Sequence, residues 1–260
     1  MEIRVEYTIP EHLKGIHTID EMRAADCQKL DEELHAKGSS IDAKIREGVI
    51  WRLGFPSIVL NARAQGRPNN AVALTVVPIH PHRADLAYKG DRTLRPGVAP
   101  LTVSGILLDD RGDLVLGIRG GTVEAQKVGI IPAGHANYDF SHPSDLIMRT
   151  LINEAEEEIS LEPDEVLRWA SLTDLFVNMD TNGLHVSYTL NSGLPFTELE
   201  RRWQSAKDRY EHEGLFSISL SALCTALIEN CVHISQGRYT FSPFSRHCLK
   251  NFLFNPSTNS

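Results

Sequence analysis

The sequence predicts an α/β fold over residues 96 to 230, preceded by a smaller α+β region over residues 1 to 95. From Gly97 onward, short apolar runs bounded by turn residues alternate with amphipathic helical segments, a pattern typical of α/β domains. Before Gly97, the polar segment "HPHRADLAYKGDRTLRPG", interrupted by Pro and Gly, indicates a domain boundary. A chain of 260 residues is long enough to bury the cores of both parts.

The N-terminal region is predicted to contain three strands and two helices. "IRVEYTI" is the first strand. Thr18 precedes Glu21 by three positions, a capping box that starts a helix ending near Lys37–Gly38. A second helix is expected from Ile41 to Glu47. "SIVLNA" and "AVALTVVPI" follow as strands joined by the turn-rich "RAQGRPNN", and the histidines of "HPH" at positions 80 to 82 are predicted to lie in a polar loop.

The second region begins with a strand, turn and strand in "LTVSGILLDDRGDLVLGIRGG", with the turn at Asp109 to Gly112. "VGIIPAGH" is a short apolar run broken at Pro132, and "SHPSDLIMRTLINEAEEEI" is a helix with Pro143 in its first turn. "SLTDLFVNM" and "LHVSYTLNSG" predict a hairpin, and "ELERRWQSAKDRYE" a loop or short helix. "GLFSIS" is the predicted last strand and "SLSALCTALIENC" the closing helix, which leaves residues 231 to 260 as a C-terminal extension.

The composition excludes several classes of function. With 26 basic against 34 acidic residues, the chain lacks the basic surface that a nucleic-acid duplex requires. No apolar run reaches the length of a membrane span, and "MEIRVEYTIP" lacks the pattern of a secretory signal. The four cysteines have no C-x-x-C spacing, so we expect free thiols in a reducing compartment. These features predict a cytoplasmic protein.

An acidic cluster in "LINEAEEEISLEP" points to chemistry. Glu154, Glu157 and Glu158 are spaced i, i+3 and i+4, which places them on one helical face, whereas Glu156 points elsewhere. They crowd the C-terminal end of a helix, where the dipole disfavours negative charge, and each like-charge pair costs roughly 0.2–0.5 kcal/mol. A divalent cation such as Mg²⁺, which prefers oxygen ligands, would turn this cost into a gain. A merely solvated acidic face remains the alternative at this point.

The strand, the Pro-Ala-Gly turn and the E-x-x-E-E helix together resemble the Nudix box, whose family pattern is GX5EX7REUXEEXGU. Gly134 falls on the opening glycine, Glu154 on the glutamate of RE, and Glu157 and Glu158 on the paired glutamates. The resemblance covers about residues 97 to 230. It implies a mixed sheet sandwiched between helices and Mg²⁺-dependent hydrolysis, with Mn²⁺ as a substitute. The implied substrate has a diphosphate linkage in a nucleoside diphosphate joined to another moiety.

The same resemblance implies roles for individual residues. The three box glutamates would bind the metal, Glu157 would also be catalytic, and the carbonyl of Gly134 would add a ligand. The general base in this family often comes from a late loop, for which Glu211 and Glu213 are both candidates. Two further residues are candidates for substrate phosphate binding: Arg119 and His135.

The box also departs from the family pattern. Asn153 replaces the arginine, Ser160 replaces the last glycine, and Phe140 stands where the pattern has its first glutamate. Glu154 follows Gly134 by 20 positions, where the pattern has 15. We interpret this as a divergent box in which other contacts hold the loop against the helix. Two alternatives stay open, an inactive ligand-sensing or protein-binding module and an isoprenoid diphosphate isomerase, which would need a catalytic cysteine. Family members often dimerise, so a homodimer is also compatible with the resemblance.

Overall fold

A computed structural model describes residues 2–50, 59–66, 71–88, 99–120, 125–137, 145–178, 183–235 and 237–254. The chain divides into two compact units. The first contains Met1–Thr102, His135–Leu146 and Val177–Leu184; the second contains Val103–Gly134, Ile147–Phe176 and His185–Ser260. The domain limits drawn from the sequence at residues 95 and 230 stay predictions. Pro143 of the predicted helix and residues 179–182, between the two strands of the predicted hairpin, lie outside the described residues.

The first unit is built on a small sheet. Strand β1 pairs in parallel with β3, β2 is antiparallel to β3, and the first residues of β4 pair with β2. The strands are β1 (Glu2–Tyr7), β2 (Val59–Gly66), β3 (Ala71–Ile79) and β4 (Ala99–Leu108), and the helices are α1 (Ile19–His35), α2 (Ile41–Arg46) and α3 (Pro81–Tyr88). Because β2 runs to Gly66, the predicted turn "RAQGRPNN" begins later than the sequence suggested.

The start of α1 confirms Thr18, the first residue of the predicted capping box, as the N-cap. The Thr18 hydroxyl accepts a hydrogen bond from the Glu21 N–H at 3.3 Å and donates one to Glu21 Oε2 at 2.8 Å. Leu30 and Leu34 of this helix are buried and pack in one cluster with Leu86. Local sequence signals therefore define this helix well.

The polar-loop prediction for His80 to His82 is wrong. His80 is buried and α3 begins at Pro81, a position that suits proline because its missing N–H would be unpaired there in any case. Arg83 is buried as well, since its Nε donates to Asp26 at 2.9 Å and its Nη1 donates to Glu33 at 2.7 Å. Charged residues that neutralise one another in the interior look like a solvated loop when only the neighbouring sequence is considered.

The second unit has a mixed sheet centred on β5 (Leu114–Arg119). Strand β5 is antiparallel to β4, β6 and β10, while β12 is parallel to β6 and antiparallel to β11; β9 pairs with β4 and β8, and β7 pairs with β4. The remaining strands are β6 (Lys127–Ile130), β7 (Ala133–His135), β8 (Ala170–Asn178), β9 (Gly183–Asn191), β10 (His212–Ile218), β11 (Cys231–Ile234) and β12 (Gly237–Phe241).

Helices cover both faces of this sheet, which confirms the predicted α/β class. They are α4 (Leu146–Ile159), α5 (Pro163–Trp169), α6 (Phe196–Ser205), α7 (Leu220–Glu229) and α8 (Pro243–Phe254). Helices α7 and α8 share a core with Leu114, Leu116 and Ile118 of β5. Side chains alternate along a strand, so Gly117 and Arg119 face the other side, where α4 lies. No helix in the described ranges is both long and apolar enough to cross a membrane.

The C-terminal residues correct one prediction. "GLFSIS" is not the last strand and α7 is not the closing helix, since β11, β12 and α8 follow. Phe241 and Phe252 of this segment are buried in the core shared with β5. The segment "ELERRWQSAKDRYE", left open as a loop or short helix, contains α6. Interior packing by residues distant in sequence completes this unit.

Candidate functional site

The acidic face of α4 is oriented as its spacing predicts. Glu158 is buried with 4% exposure, Glu154 is half-buried, and Glu156 is exposed. The side chain of Glu157 remains 39% exposed and accepts a hydrogen bond from Lys207 Nζ. A helix with one buried and one half-buried glutamate is unlike an ordinary solvated face, because charges removed from water require partners.

The Pro-Ala-Gly turn lies directly against these glutamates. The Ala133 N–H donates to Glu158 Oε2 at 3.2 Å. A Cβ atom at position 134 would overlap the carboxylate of Glu154, so only glycine allows the backbone of β7 to approach this side chain so closely. The structure therefore brings Gly134, Glu154 and Glu158 together despite the longer loop between turn and helix.

A loop between α6 and β10 closes on the same end of α4. The Asp208 N–H donates to the main-chain oxygen of Glu157 at 2.8 Å, and the Glu211 carbonyl accepts from the Gly120 N–H at 2.7 Å. Glu211 is half-buried, and its charge acts on Glu154 and Glu158. These contacts hold Glu211 beside the box.

The second base candidate has a different environment. The β5–β10 register shifts between His212 and Gly214, so Glu213 lies at an irregularity of the ladder. Glu213 is exposed, and its carboxylate accepts from Gln126 Nε2 at 2.5 Å. No interaction links Glu213 to the box glutamates among the described residues, which favours Glu211 of the two.

Arg119 and His212 occupy space that two glycines leave open. Gly117 and Gly129 face each other in the β5–β6 ladder. A Cβ at Gly117 would overlap the His212 ring, and one at Gly129 would come within 3.0 Å of Arg119 Cγ. His212 Nε2 lies 3.9 Å from Glu158 Oε2, and the positive charge of Arg119 acts on both Glu158 and Glu211. A cationic side chain thus lies beside the acidic cluster.

The electrostatics of the cluster favour the arrival of a cation. Burial raises the pKa of Glu154 to about 8, with further contributions from Glu157, Glu211 and Asp208. Burial also raises the pKa of Glu158 well above its usual value, reinforced by Glu154 and Glu211 and opposed by Arg119. The pKa of Glu211 is raised chiefly by burial. Crowded carboxylates in a desolvated site must bind protons or a metal ion.

Sequence reasoning missed three residues of this site, namely Lys207, Asp208 and His212. Each lies close to the box only because the loop after α6 folds back onto α4, and no spacing rule connects residues about fifty positions apart. The other candidate, His135, lies half-buried at the end of β7 and belongs to the first unit. Its role, like that of Arg119, in phosphate binding stays a prediction.

The end of α4 explains one departure from the family pattern and provides a test. Ser160 has a φ of 55°, in the left-handed region that favours glycine, the family's residue at this position. We expect Ser160→Gly to raise the free energy of unfolding by about 0.5–1 kcal/mol, measured by urea denaturation. Ser160→Ala is the matched control, since alanine keeps the strain. An equal gain in both variants would contradict this explanation.

Comparison with solved structures finds Nudix and MutT proteins. The MutT protein of Methanosarcina mazei Go1 is 15% identical over 62% of this chain and 96% of its own, with a TM-score of 0.38. The MutT Nudix hydrolase of Burkholderia pseudomallei is 20% identical over 59% and 97%, with a TM-score of 0.39. A bifunctional NMN adenylyltransferase/ADP ribose pyrophosphatase of Francisella tularensis, complexed with AMP and a manganese ion, is 15% identical over 52% and 38%, with a TM-score of 0.36. No protein-family profile and no curated protein matches the sequence. Similarities this low identify neither a substrate nor an activity.

Proposed function

We propose that this chain is a Nudix-type pyrophosphohydrolase that cleaves a diphosphate linkage in a nucleoside diphosphate joined to another moiety. The observation that supports this most is the convergence of Glu154, Glu158 and Glu211 next to the Gly134 turn. A match to the motif alone would be equally compatible with glutamates on a solvated helical face. The position of buried Glu158 and half-buried Glu154 against that turn supports a site that binds a cation.

The donor set fits a hard divalent metal. Mg²⁺, or Mn²⁺ in its place, would be held by Glu154, Glu157, Glu158 and the carbonyl oxygen of Gly134, all of which are oxygen donors. When bound, such an ion polarises a phosphoryl oxygen and lowers the pKa of a coordinated water. Glu157 also accepts from Lys207, so this ion pair must loosen when Glu157 takes part in binding.

The remaining roles belong to the protein's own groups. Glu211 would take a proton from the attacking water, because its raised pKa lies closer to neutrality than that of an ordinary glutamate. Arg119 would offset the negative charge that a diphosphate brings into the acidic site. Burial of Glu158 beside Arg119 and His212 limits water around the carboxylates.

The proposal is tested by assaying a panel of nucleotide sugars, dinucleotides, ADP-ribose and nucleoside triphosphates with Mg²⁺ or Mn²⁺. We expect metal-dependent release of phosphate-containing products that collapses in Glu157→Gln. Glu156→Gln is the control, because this neighbouring glutamate is exposed on the same helix. Turnover that is equal in both variants would contradict the role of the box.

The same assay separates the alternatives when it is combined with calorimetry of Mn²⁺ binding. Absence of both turnover and metal binding would indicate a ligand-sensing module instead. Isoprenoid isomerase chemistry would require a cysteine in the site. Cys248 instead belongs to the core shared with Leu114 and Leu116 of β5, on the face of the sheet opposite the glutamates, which favours hydrolysis.

A further inference from the structure

A second group of metal-ligating side chains lies within the first unit. It consists of Cys27 on α1, His80 at the end of β3 and His82 in the first turn of α3, and one donor atom of each lies within 4.8 Å of the others. The cysteine precedes the histidines by more than fifty positions, so no short zinc motif reveals the group. The fold alone brings these three donors together.

The two histidines are held in place by the surrounding backbone. The His80 N–H donates to Asp26 Oδ2 at 2.6 Å, and the His82 N–H donates to His80 Nδ1 at 3.1 Å. The two rings pack edge to face with centroids 4.3 Å apart. Asp26 is fixed in turn by the Arg83 guanidinium. A site pre-organised in this way loses little side-chain entropy when a ligand binds.

Two observations point to a ligand rather than to packing. His82 Nδ1 is buried and has no hydrogen-bond partner among the described residues, which is costly for a polar atom. Cys27 lines an open cleft of about 470 Å³ together with Asp31, His35 and Asp42. The acidic residues of this cleft give a cation a path from solvent to the sulfur atom.

We propose that Cys27, His80 and His82 bind a zinc-type divalent cation. Sulfur and imidazole donors select Zn²⁺ over Mg²⁺, so this site differs in chemistry from the oxygen donors of the glutamate box. On binding, a sulfur–metal bond forms and the Cys27 thiol proton is released to solvent. His80 Nδ1 accepts a hydrogen bond, so the neutral ring carries its proton on Nε2. A metal bound at Nδ1 displaces this hydrogen bond, whereas a metal bound at Nε2 moves the ring proton to Nδ1, which breaks the bond as well.

Cobalt provides a spectroscopic test, since thiolate ligation of Co²⁺ gives a sulfur-to-metal charge-transfer band that carboxylates do not give. We expect the reduced, chelator-treated full chain to develop this band at one equivalent of Co²⁺ and to lose it when Zn²⁺ is added. Cys27→Ser should abolish the band. Cys224→Ser is the matched control, because it removes another half-buried thiol that has no place in the group.

A second variant makes the result independent of the folding of Cys27→Ser. His82→Gln should keep a weakened band and lower Zn²⁺ affinity at least about tenfold, as measured by competition with a chromophoric chelator. Absence of the band in native protein with a folded circular dichroism spectrum would overturn the proposal. So would a band that survives Cys27→Ser and disappears in Cys231→Ser, which would assign it to the group of Glu229, Cys231 and His233. Neither outcome depends on turnover at the glutamate box.

Discussion

Glu158→Gln is expected to abolish metal-dependent turnover and, at the same time, to stabilise the metal-free protein. Glu158 is buried, and its one described hydrogen bond comes from the Ala133 N–H at 3.2 Å. A glutamine oxygen can accept the same bond without a charge. We expect the free energy of unfolding to rise by about 1–3 kcal/mol at neutral pH, the usual cost of a poorly compensated buried polar group.

The loss of activity should be much larger than the gain in stability. Removing one group that organises charge at a phosphoryl centre costs about 10²–10³ in kcat, so turnover should fall at least a hundredfold. Steady-state hydrolysis and urea denaturation measure the two effects on the same preparation. Glu156→Gln is again the control, since it makes the same chemical change on the exposed side of α4 and should leave both quantities nearly unchanged.

Opposite signs for stability and activity distinguish a functional residue from a structural one. A residue retained for folding loses stability when it is changed, whereas a strained catalytic residue often gains it. If Glu158→Gln lowered both stability and turnover, the carboxylate would be a structural partner of Arg119 and His212. If it left turnover intact, the metal would have to bind elsewhere.

The features that follow from local sequence were predictable. Glu154, Glu157 and Glu158 share one helical face because of their spacing, and Thr18 caps α1 because its partner lies three positions away. Gly134 could be matched to the box, yet the reason for the glycine, the carboxylate of Glu154 against its backbone, becomes visible only in three dimensions. Residues separated by a few positions carry most of what a sequence reveals.

Features that depend on distant contacts could not be predicted. Lys207 reaches Glu157 from a point fifty positions away, and Arg83 is buried by Asp26 from another element. The preference for Glu211 over Glu213 depends on the burial of Glu211 and on its interaction with Glu154 and Glu158, which the local sequence does not reveal. Ser160 was counted as a departure from the glycine of the family, although its backbone keeps the left-handed conformation.

Mg²⁺ is expected to stabilise the protein more at pH 8 than at pH 6.5. The pKa of Glu154 is about 8 in the folded state against 4.5 ordinarily, so between these values the unfolded chain has released a proton that the folded chain retains. The stability of the metal-free protein therefore falls as the pH rises through this window. Because Mg²⁺ binds the ionised carboxylate, the stability of the Mg²⁺-bound protein should not decrease over this pH range. At about 1.4 kcal/mol per pKa unit, the difference should reach about 2 kcal/mol, or several degrees in Tm.

Measurement between pH 6.5 and pH 8 separates the effect of Glu154 on stability from that of the buried histidines. Burial lowers the pKa of His80, His185 and His212 to about 3, so their contribution to stability rises with pH from about 3 to 6.5 and is level above that. Above pH 6.5, the carboxylates control the change of stability with pH.

Thermal unfolding with and without Mg²⁺ at the two pH values measures this change. The stability of metal-free Glu154→Gln should decrease less between pH 6.5 and pH 8 than that of the native protein. An equal Mg²⁺ shift at both values would mean that Glu154 is already ionised at pH 6.5. No shift at either would mean that the glutamate cluster does not bind Mg²⁺.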